Sequence, residues 1–288
     1  MLEIIKARYS GYCSGVKQAI IKTEKYLKTK KRLYSLGEIV HNPNSVKLLE
    51  DKGLKVVDNI EKIPSNANVI VRTHGLPFNI LSKLKKNNIN VIDGCCPRVK
   101  RIHNIISDNL KKDKNIILIG RKNHAEVLAA SSYDEKRIFV IEEKKDIESL
   151  PLLKEYVVVV QTTFSPEKFS QLTGDLILKI PHLEIFNTLC DETLLRQKEV
   201  KRLSSTVDLV IVVGGKNSSN TRTLFEIAKD KAKLVTDPDE VLPEWLKKVN
   251  RVAVVSGAST PVEDVNNVVR KIKNIYEKFY LKKKRRKR

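Results

Sequence analysis

The sequence predicts an α/β protein of three α/β domains related by a pseudo-threefold axis, each with a mainly parallel sheet. Three observations carry this. Short apolar runs such as 116–119 (IILI) and 209–213 (LVIVV) recur along the chain, as parallel strands covered on both faces require. They alternate with helix-patterned stretches, the order expected of βαβ units. The pattern repeats three times in register with three of the four cysteines, and a period of this kind means stacked copies of one supersecondary unit.

The repeat is read by counting from Cys13, Cys96 and Cys190. Position +24 is Gly37, Gly120 and Gly214, and position +28 is His41, His124 and Ser218. Glycine is only 11 of 288 residues, so three in register at one offset argue against coincidence. Each glycine ends or closely follows an apolar run, at 33–36, 116–119 and 209–213. Each residue at +28 opens a helix-like stretch. At about +43 come the apolar pairs Val56-Val57, Phe139-Val140 and Leu234-Val235. A buried-type strand then ends in small or polar residues and a proline, at 69–77, 157–166 and 252–261, and a helix follows. The helix after Cys13 has the matching period, with Val16, Ala19, Ile20, Thr23, Tyr26 and Leu27 on one face. The expected boundaries are 1–95, 96–189 and 190–280, with a basic tail at 281–288.

Composition excludes several classes. Hydrophobic content of 41% with 31% charged residues suits a globular protein. No apolar run is long enough to span a membrane, and no secretory signal is expected at the N-terminus. Four cysteines in 288 residues do not make a disulfide framework, so a reducing, cytoplasmic setting is expected. Net charge is +21, and seven of the last eight residues are basic. Such a block reads as a solvated tail able to steer an acidic partner. No zinc-finger or RNA-recognition signature accompanies the charge, so nucleic acid is not the expected partner.

In open parallel sheets ligands bind beyond the carboxyl ends of the strands, where all three repeat features lie. If the repeats face one another, Cys13, Cys96 and Cys190 converge, with His41, His74, His124, Thr162, Ser218 and Ser259 around them. Three cysteines without CxxC make a poor zinc finger. They suit a cubane iron–sulfur cluster, and three thiolates on four irons leave one iron open. Each cysteine precedes a helix, and Pro97 fits a first helical position with Cys96 as cap. The helix dipole is expected to lower the thiolate pKa.

His41, His74, Ser218, Ser219, Asn220 and Ser259 offer donors near helix N-termini, suited to a phosphate-bearing ligand or serving as ordinary caps. The run 214–220 (GGKNSSN) lacks Walker A spacing. Glu126 breaks the threefold pattern, since Pro43 and Asn220 stand at its place in the other repeats. It reads either as a proton donor or as a first-turn acid favoured by the helix dipole. Thr162 and Thr163 orient a substrate hydroxyl or cap a turn before Pro166. His103 falls on an apolar helix face and is expected to pack. His182 reads as a loop residue and Trp245 as packing on a helix. In Asp93-Gly94-Cys95-Cys96-Pro97, counting from Cys95 misses the register by one, so Cys96 is the expected ligand. Two other classes remain open at this point: a zinc hydrolase with Glu126 as base, and a basic nucleic-acid-binding protein with a structural metal.

The motifs GYCSGV, EIVHNP, RTHGLP, CCPRV, NHAEV, QTTFS, GGKNSSN and SGASTP, in order from about Met1 to Tyr280, resemble those of the 4-hydroxy-3-methylbut-2-enyl diphosphate reductase family, which catalyses the last step of the non-mevalonate isoprenoid pathway. The resemblance implies a [4Fe-4S] cluster on Cys13, Cys96 and Cys190, with the substrate hydroxyl on the open iron. It implies a diphosphate held by His41, His74, Ser218, Ser219, Asn220 and Ser259. Glu126, with His124 and Thr162, would deliver protons, and a ferredoxin or flavodoxin would deliver two electrons. The products would be isopentenyl and dimethylallyl diphosphates and water. Three departures stand out. Cys95 occupies a place usually held by Thr, Asp191-Glu192 follows a ligand where the family is small or neutral, and Asn123 replaces a glycine before His124.

Overall fold

The structure, a computed structural model, describes residues 2–29, 31–151 and 153–281. The basic residues 282–288 lie outside the described residues. Twelve strands form three parallel sheets of four. Strands β2 (Leu33–Leu36), β3 (Leu54–Val57), β4 (Asn68–Ile70) and β5 (Asn90–Ile92) form one, ordered β3-β2-β4-β5. Strands β6 (Ile116–Ile119), β7 (Ile138–Ile141), β8 (Glu155–Val160) and β9 (His182–Phe186) form another, ordered β7-β6-β8-β9. Strands β10 (Leu209–Val213), β11 (Ala232–Val235) and β12 (Arg251–Ser256) form the third, ordered β11-β10-β12-β1. Its last member, β1, is Glu3–Lys6, paired with Arg251–Val254. The same order therefore occurs three times, and in the third sheet the start of the chain supplies the fourth strand.

That fourth strand is absent from the sequence reading. β1, β5 and β9 are short edge strands, and their side chains are exposed or half-buried, so no apolar run marks them. His182, expected in a loop, opens β9 and is exposed.

By internal packing the chain forms two compact units. One gathers residues up to Cys13, the segment His41–Ser45 and residues from Asp191 onward; the other gathers Ser14–Val40 and Val46–Cys190. In the first unit, alternation along β10 and β12 sends side chains to two cores. Ile211, Val213, Val252 and Val254 pack on Val265, Val268 and Ile272 of α10 (Val262–Tyr276), with Trp245 against the same core. Val210, Val212, Ala253 and Val255 pack on Val200 and Leu203 of α8 (Asp191–Ser204) and Leu224 of α9 (Ser219–Ala228). Each fully buried valine contributes about 1.5–3 kcal/mol over leaving it in water.

The second unit contains the helices α1 (Ser14–Leu27), α3 (Phe78–Lys86), α4 (Pro97–Leu110), α5 (Ala125–Ser131), α6 (Lys144–Glu148) and α7 (Pro166–Lys179), and most of α2 (Pro43–Asp51). Ile117, Ile119, Val158 and Val160 pack on Phe169, Leu172 and Leu176 of α7. Ile116, Leu118, Val157 and Val159 pack on Ile102 and Ile106 of α4 and Val127 of α5. In α1 the predicted face is the buried one at Val16, Ala19, Ile20 and Thr23, while Tyr26 and Leu27 are half-buried. Among the described residues no helix is long and apolar enough to cross a membrane.

Candidate active site

In the first unit the predicted ligand and anion-binding residues lie at the carboxyl ends of β10 and β12. Cys13 donates its backbone N–H to the Ala258 carbonyl at 2.9 Å. Ser259 Oγ donates to the His41 carbonyl at 3.2 Å, and Ser45 Oγ donates to the Ser259 carbonyl at 3.2 Å. Gly215 lies against the His41 carbonyl so closely that a Cβ there would sit 2.5 Å from its oxygen. Ser218 is the N-cap of α9 and accepts from the Thr221 N–H, with Ser219 and Asn220 buried in the first turn. Asn220 is 3% exposed, and among the described residues neither atom of its amide has a hydrogen-bond partner. A buried amide left this way costs about 1–3 kcal/mol, and a helix N-terminus is a place where an anionic group would satisfy it.

In the second unit the expected helix starts are present. Cys96 is the N-cap of α4 with Pro97 at its first position, and its backbone N–H donates to the Thr73 carbonyl at 3.0 Å. The adjacent His74 meets His124 edge to face, ring centres 5.5 Å apart. His124 caps α5, its Nδ1 accepting the Glu126 N–H at 3.2 Å, which leaves the ring proton on Nε2 in the neutral form. Glu126 is 2% exposed. Its Oε1 accepts the Thr162 N–H and its Oε2 the Thr162 hydroxyl, each at 2.7 Å. The Thr162 carbonyl in turn accepts the Cys190 N–H at 2.9 Å. The capping alternative falls instead to Ser165, which accepts from Lys168 at the start of α7. Thr163 Oγ1 lies 3.0 Å from Gln161 Nε2, which donates to it.

Burial dominates the electrostatics of Glu126 and Cys96. Burial pushes the Glu126 carboxyl up to about 7, against the two Thr162 hydrogen bonds that lower it. Burial also raises the Cys96 thiol, with the Cys190 and Glu126 charges adding to the rise. The N–H groups of Arg98 and Val99 act in the opposite sense, as the helix-start argument requires. Burial outweighs them, so the expectation of a lowered thiolate pKa does not hold for the bare thiol. A Cys96 thiol whose charged form is disfavoured by burial and by its neighbours fits a place for a bound cationic centre, which would invert this balance and deprotonate the sulfur outright.

Cys95 has different surroundings. Its side chain packs on the core of Tyr34, Val69, Val71, Leu76 and Leu84, and its Sγ points at the Cys96 carbonyl. Burial first, then the Asp93 charge, push its thiol up to about 12, so it is an inert, packed thiol. Cys95→Thr is therefore expected to keep iron content and activity within about twofold of wild type, at a stability cost of about 1 kcal/mol, measured by iron analysis, turnover and thermal melting. His103 packs as expected, 9% exposed, beneath Gly75 and beside Tyr133, and burial lowers its pKa to about 4.

Sequence reasoning missed Gly15. Its pro-Cβ position lies 2.5 Å from Cys96 Sγ, so only glycine lets α1 approach that sulfur. In an exposed helix interior alanine would be favoured by about 1 kcal/mol. Here the methyl must displace the sulfur, and overpacking of this kind costs about 1–3 kcal/mol. Gly15→Ala is expected to lower both the melting temperature and the iron retained per chain after anaerobic reconstitution. The signal was in GYCSGV, as a small residue two places beyond a predicted ligand, but its contact lies 81 residues away.

Comparison with known proteins bears on this arrangement. A family model described as LytB protein matches residues 4–273. The chain is 36% identical over 281 residues to the 4-hydroxy-3-methylbut-2-enyl diphosphate reductase of Caldanaerobacter subterraneus subsp. tengcongensis, covering 95% of this chain and 98% of that protein. It is 36% identical over 285 residues to the enzyme of the same name from Aquifex aeolicus, covering 96% and 98%. The solved E-1-hydroxy-2-methyl-but-2-enyl-4-diphosphate reductase from Plasmodium falciparum matches with a TM-score of 0.89 at 31% identity, over 93% of this chain and 87% of that one. With matches running over nearly its whole length, the chain belongs to the LytB family, whose members are 4-hydroxy-3-methylbut-2-enyl diphosphate reductases.

Proposed function

We propose that the chain reduces 4-hydroxy-3-methylbut-2-enyl diphosphate to isopentenyl and dimethylallyl diphosphates, using a [4Fe-4S] cluster held by Cys13, Cys96 and Cys190. The observation that carries this reading is the group of half-buried Cys96 with buried Cys190 and Glu126, in which two soft ligands share their surroundings with an acid of raised pKa. A cluster held by these residues would supply electrons and Lewis acidity.

The protein's own part begins with the diphosphate. His41, Ser218, Ser219, Asn220 and Ser259 are assigned to it, with His74 as a further donor. The α9 N-terminus favours its negative charge, and the Asn220 amide gains the partner it lacks. Glu126 is assigned as acid. With its pKa pushed up to about 7, a sizeable fraction of Glu126 carries a proton at neutral pH; in that form its Oε2–H faces Thr162 Oγ1, 2.7 Å away, and that hydroxyl relays a proton toward the leaving oxygen. His124 and Thr163 are assigned to orienting the substrate near that hydroxyl. The balance is two electrons and two protons in, with the C–O bond broken and water released.

The electrons are assigned to an acidic ferredoxin or flavodoxin, attracted by a chain of net charge +21, in the cytoplasm. The test is anaerobic purification, metal and sulfide analysis, and turnover with a chemical reductant. Iron with equimolar sulfide and isoprenoid diphosphate products are expected. Zinc without sulfide would point to the hydrolase alternative and end this reading.

A further inference from the structure

We propose that Arg196 and Glu199, one turn apart on α8, form a buried clamp that fixes the loop carrying Cys13 and so sets how firmly that cysteine holds the cluster; this rests on the cluster reading above. Both side chains are buried, Arg196 at 5% and Glu199 at 9% exposure. Neither has a part in the chemistry assigned above.

Their partners are the backbone of one loop. After β1 the chain runs through Arg8, Tyr9, Ser10, Gly11 and Tyr12 to Cys13, with no regular structure to satisfy its polar groups. Glu199 accepts the Arg8 N–H at 2.8 Å on one oxygen and the Tyr9 N–H at 3.0 Å on the other. Arg196 donates from Nη1 to the Tyr9 carbonyl and from Nη2 to the Gly11 carbonyl at 2.9 Å. Its Nη1 also reaches the Ser256 carbonyl, 3.4 Å away at the end of β12. One helix thus offers an acceptor-only group to the loop's N–H groups and a donor-only group to its carbonyls. Two further bonds finish the path to the sulfur. The Gly11 N–H donates to Ser256 Oγ at 3.1 Å, and the Cys13 N–H donates to the Ala258 carbonyl at 2.9 Å.

The charge types matter. A planar guanidinium serves several carbonyls from one fixed plane, and a lysine ammonium does not reproduce that fork. With either side chain replaced, the loop keeps its covalent length but loses the bonds at Arg8 and Tyr9, or at Tyr9 and Gly11. Cys13 is two residues from the nearest clamped carbonyl, so slack there reaches the sulfur directly. Partners behind a metal ligand typically change metal retention by about 10–100-fold when removed.

The test compares wild type with Arg196→Gln, Arg196→Lys, Glu199→Gln and a control, Val268→Ala. The control opens a cavity on the other face of the sheet, among residues packed on α10. Each anaerobically reconstituted holoenzyme is challenged with an iron chelator in the presence of iodoacetamide. Loss of the charge-transfer absorption and alkylation of each cysteine are followed by time-resolved mass spectrometry. Arg196→Gln and Glu199→Gln should lose absorption about 10-fold faster or more, with Cys13 labelled ahead of Cys96 and Cys190. Arg196→Lys should lie between these variants and wild type. Val268→Ala should lower the melting temperature without changing the order of labelling. If the clamp variants label the three cysteines in the wild-type order and at rates matching the control, the proposal is wrong. Should Arg196→Gln not fold, the Glu199→Gln and Arg196→Lys results decide. If wild type carries no iron and sulfide, the cluster reading fails on its own; selective labelling of Cys13 in the metal-free variants would then still support the clamp, and unselective labelling would refute it.

Discussion

Cys96→Ser is expected to reduce turnover to background and to leave the anaerobically purified chain with little of its iron, while its melting temperature without metal stays close to wild type. Loss of function and preservation of fold should separate here for a physical reason. Serine is among the preferred N-cap residues, so at the start of α4 it costs the helix nothing. The backbone bond from residue 96 to the Thr73 carbonyl is kept. What disappears is the sulfur against which Gly15 is fitted. A hydroxyl is a harder ligand with a far higher pKa than a thiol, and cubane clusters are held by thiolates. Cys95 does not substitute, because its side chain is committed to the core around Tyr34 and Val69. A Cys96→Ser protein with wild-type iron and turnover would remove the repeat register as a guide to the ligands.

Glu126→Gln is the second large effect. General acid groups typically contribute about 10²–10⁴-fold, and kcat should fall by that amount with the substrate KM little changed. The pH profile carries the sharper signature. Burial holds the Glu126 carboxyl up at about 7, so the acid form needed for donation is lost as pH rises through that value. Wild-type kcat should decline on an alkaline limb near pH 7, and the residual rate of Glu126→Gln should lack that limb. Stability follows the same sign. A carboxyl whose folded pKa is raised contributes fully below its ordinary value of 4.5, and the contribution is lost as pH rises through about 7. The variant's melting temperature should therefore depend less on pH across that window, which thermal melts from pH 4 to 8 would measure. An alkaline limb that survives unchanged in the variant would assign the proton to another group.

The sequence was most informative where burial was complete on both faces. Runs such as 116–119 and 209–213 are strands in which every side chain is buried, and a short β-branched-rich apolar run between helix-patterned stretches is what a covered parallel strand looks like. The helix starts after the three cysteines were legible because proline, small residues and acids have restricted places there. The edge strands β1, β5 and β9 were not, because they are only three to five residues long and none of their side chains is fully buried. The chain start pairing with Arg251–Val254 is invisible for another reason: no local pattern encodes a partner at the far end of the chain. Within the site, Glu126 was picked out by its break in the repeat, but only its 2% exposure, whose desolvation outweighs the two Thr162 bonds that lower its pKa, distinguishes an acid of raised pKa from a first-turn helix residue. The Cys96 thiol is the reverse case. The helix-start contribution was predictable, and the larger burial effect was not, since desolvation depends on neighbours such as Gly15 brought together by folding.

The central claim is a cluster on three cysteines with one iron open to substrate. Mössbauer spectroscopy of ⁵⁷Fe-labelled, anaerobically purified protein, recorded with and without the diphosphate substrate, tests it most directly. A four-iron spectrum is expected in which substrate changes the signal of one iron and leaves the other three unaltered. A spectrum in which all four irons are equivalent and indifferent to substrate, or one with no cluster iron at all, would contradict the account.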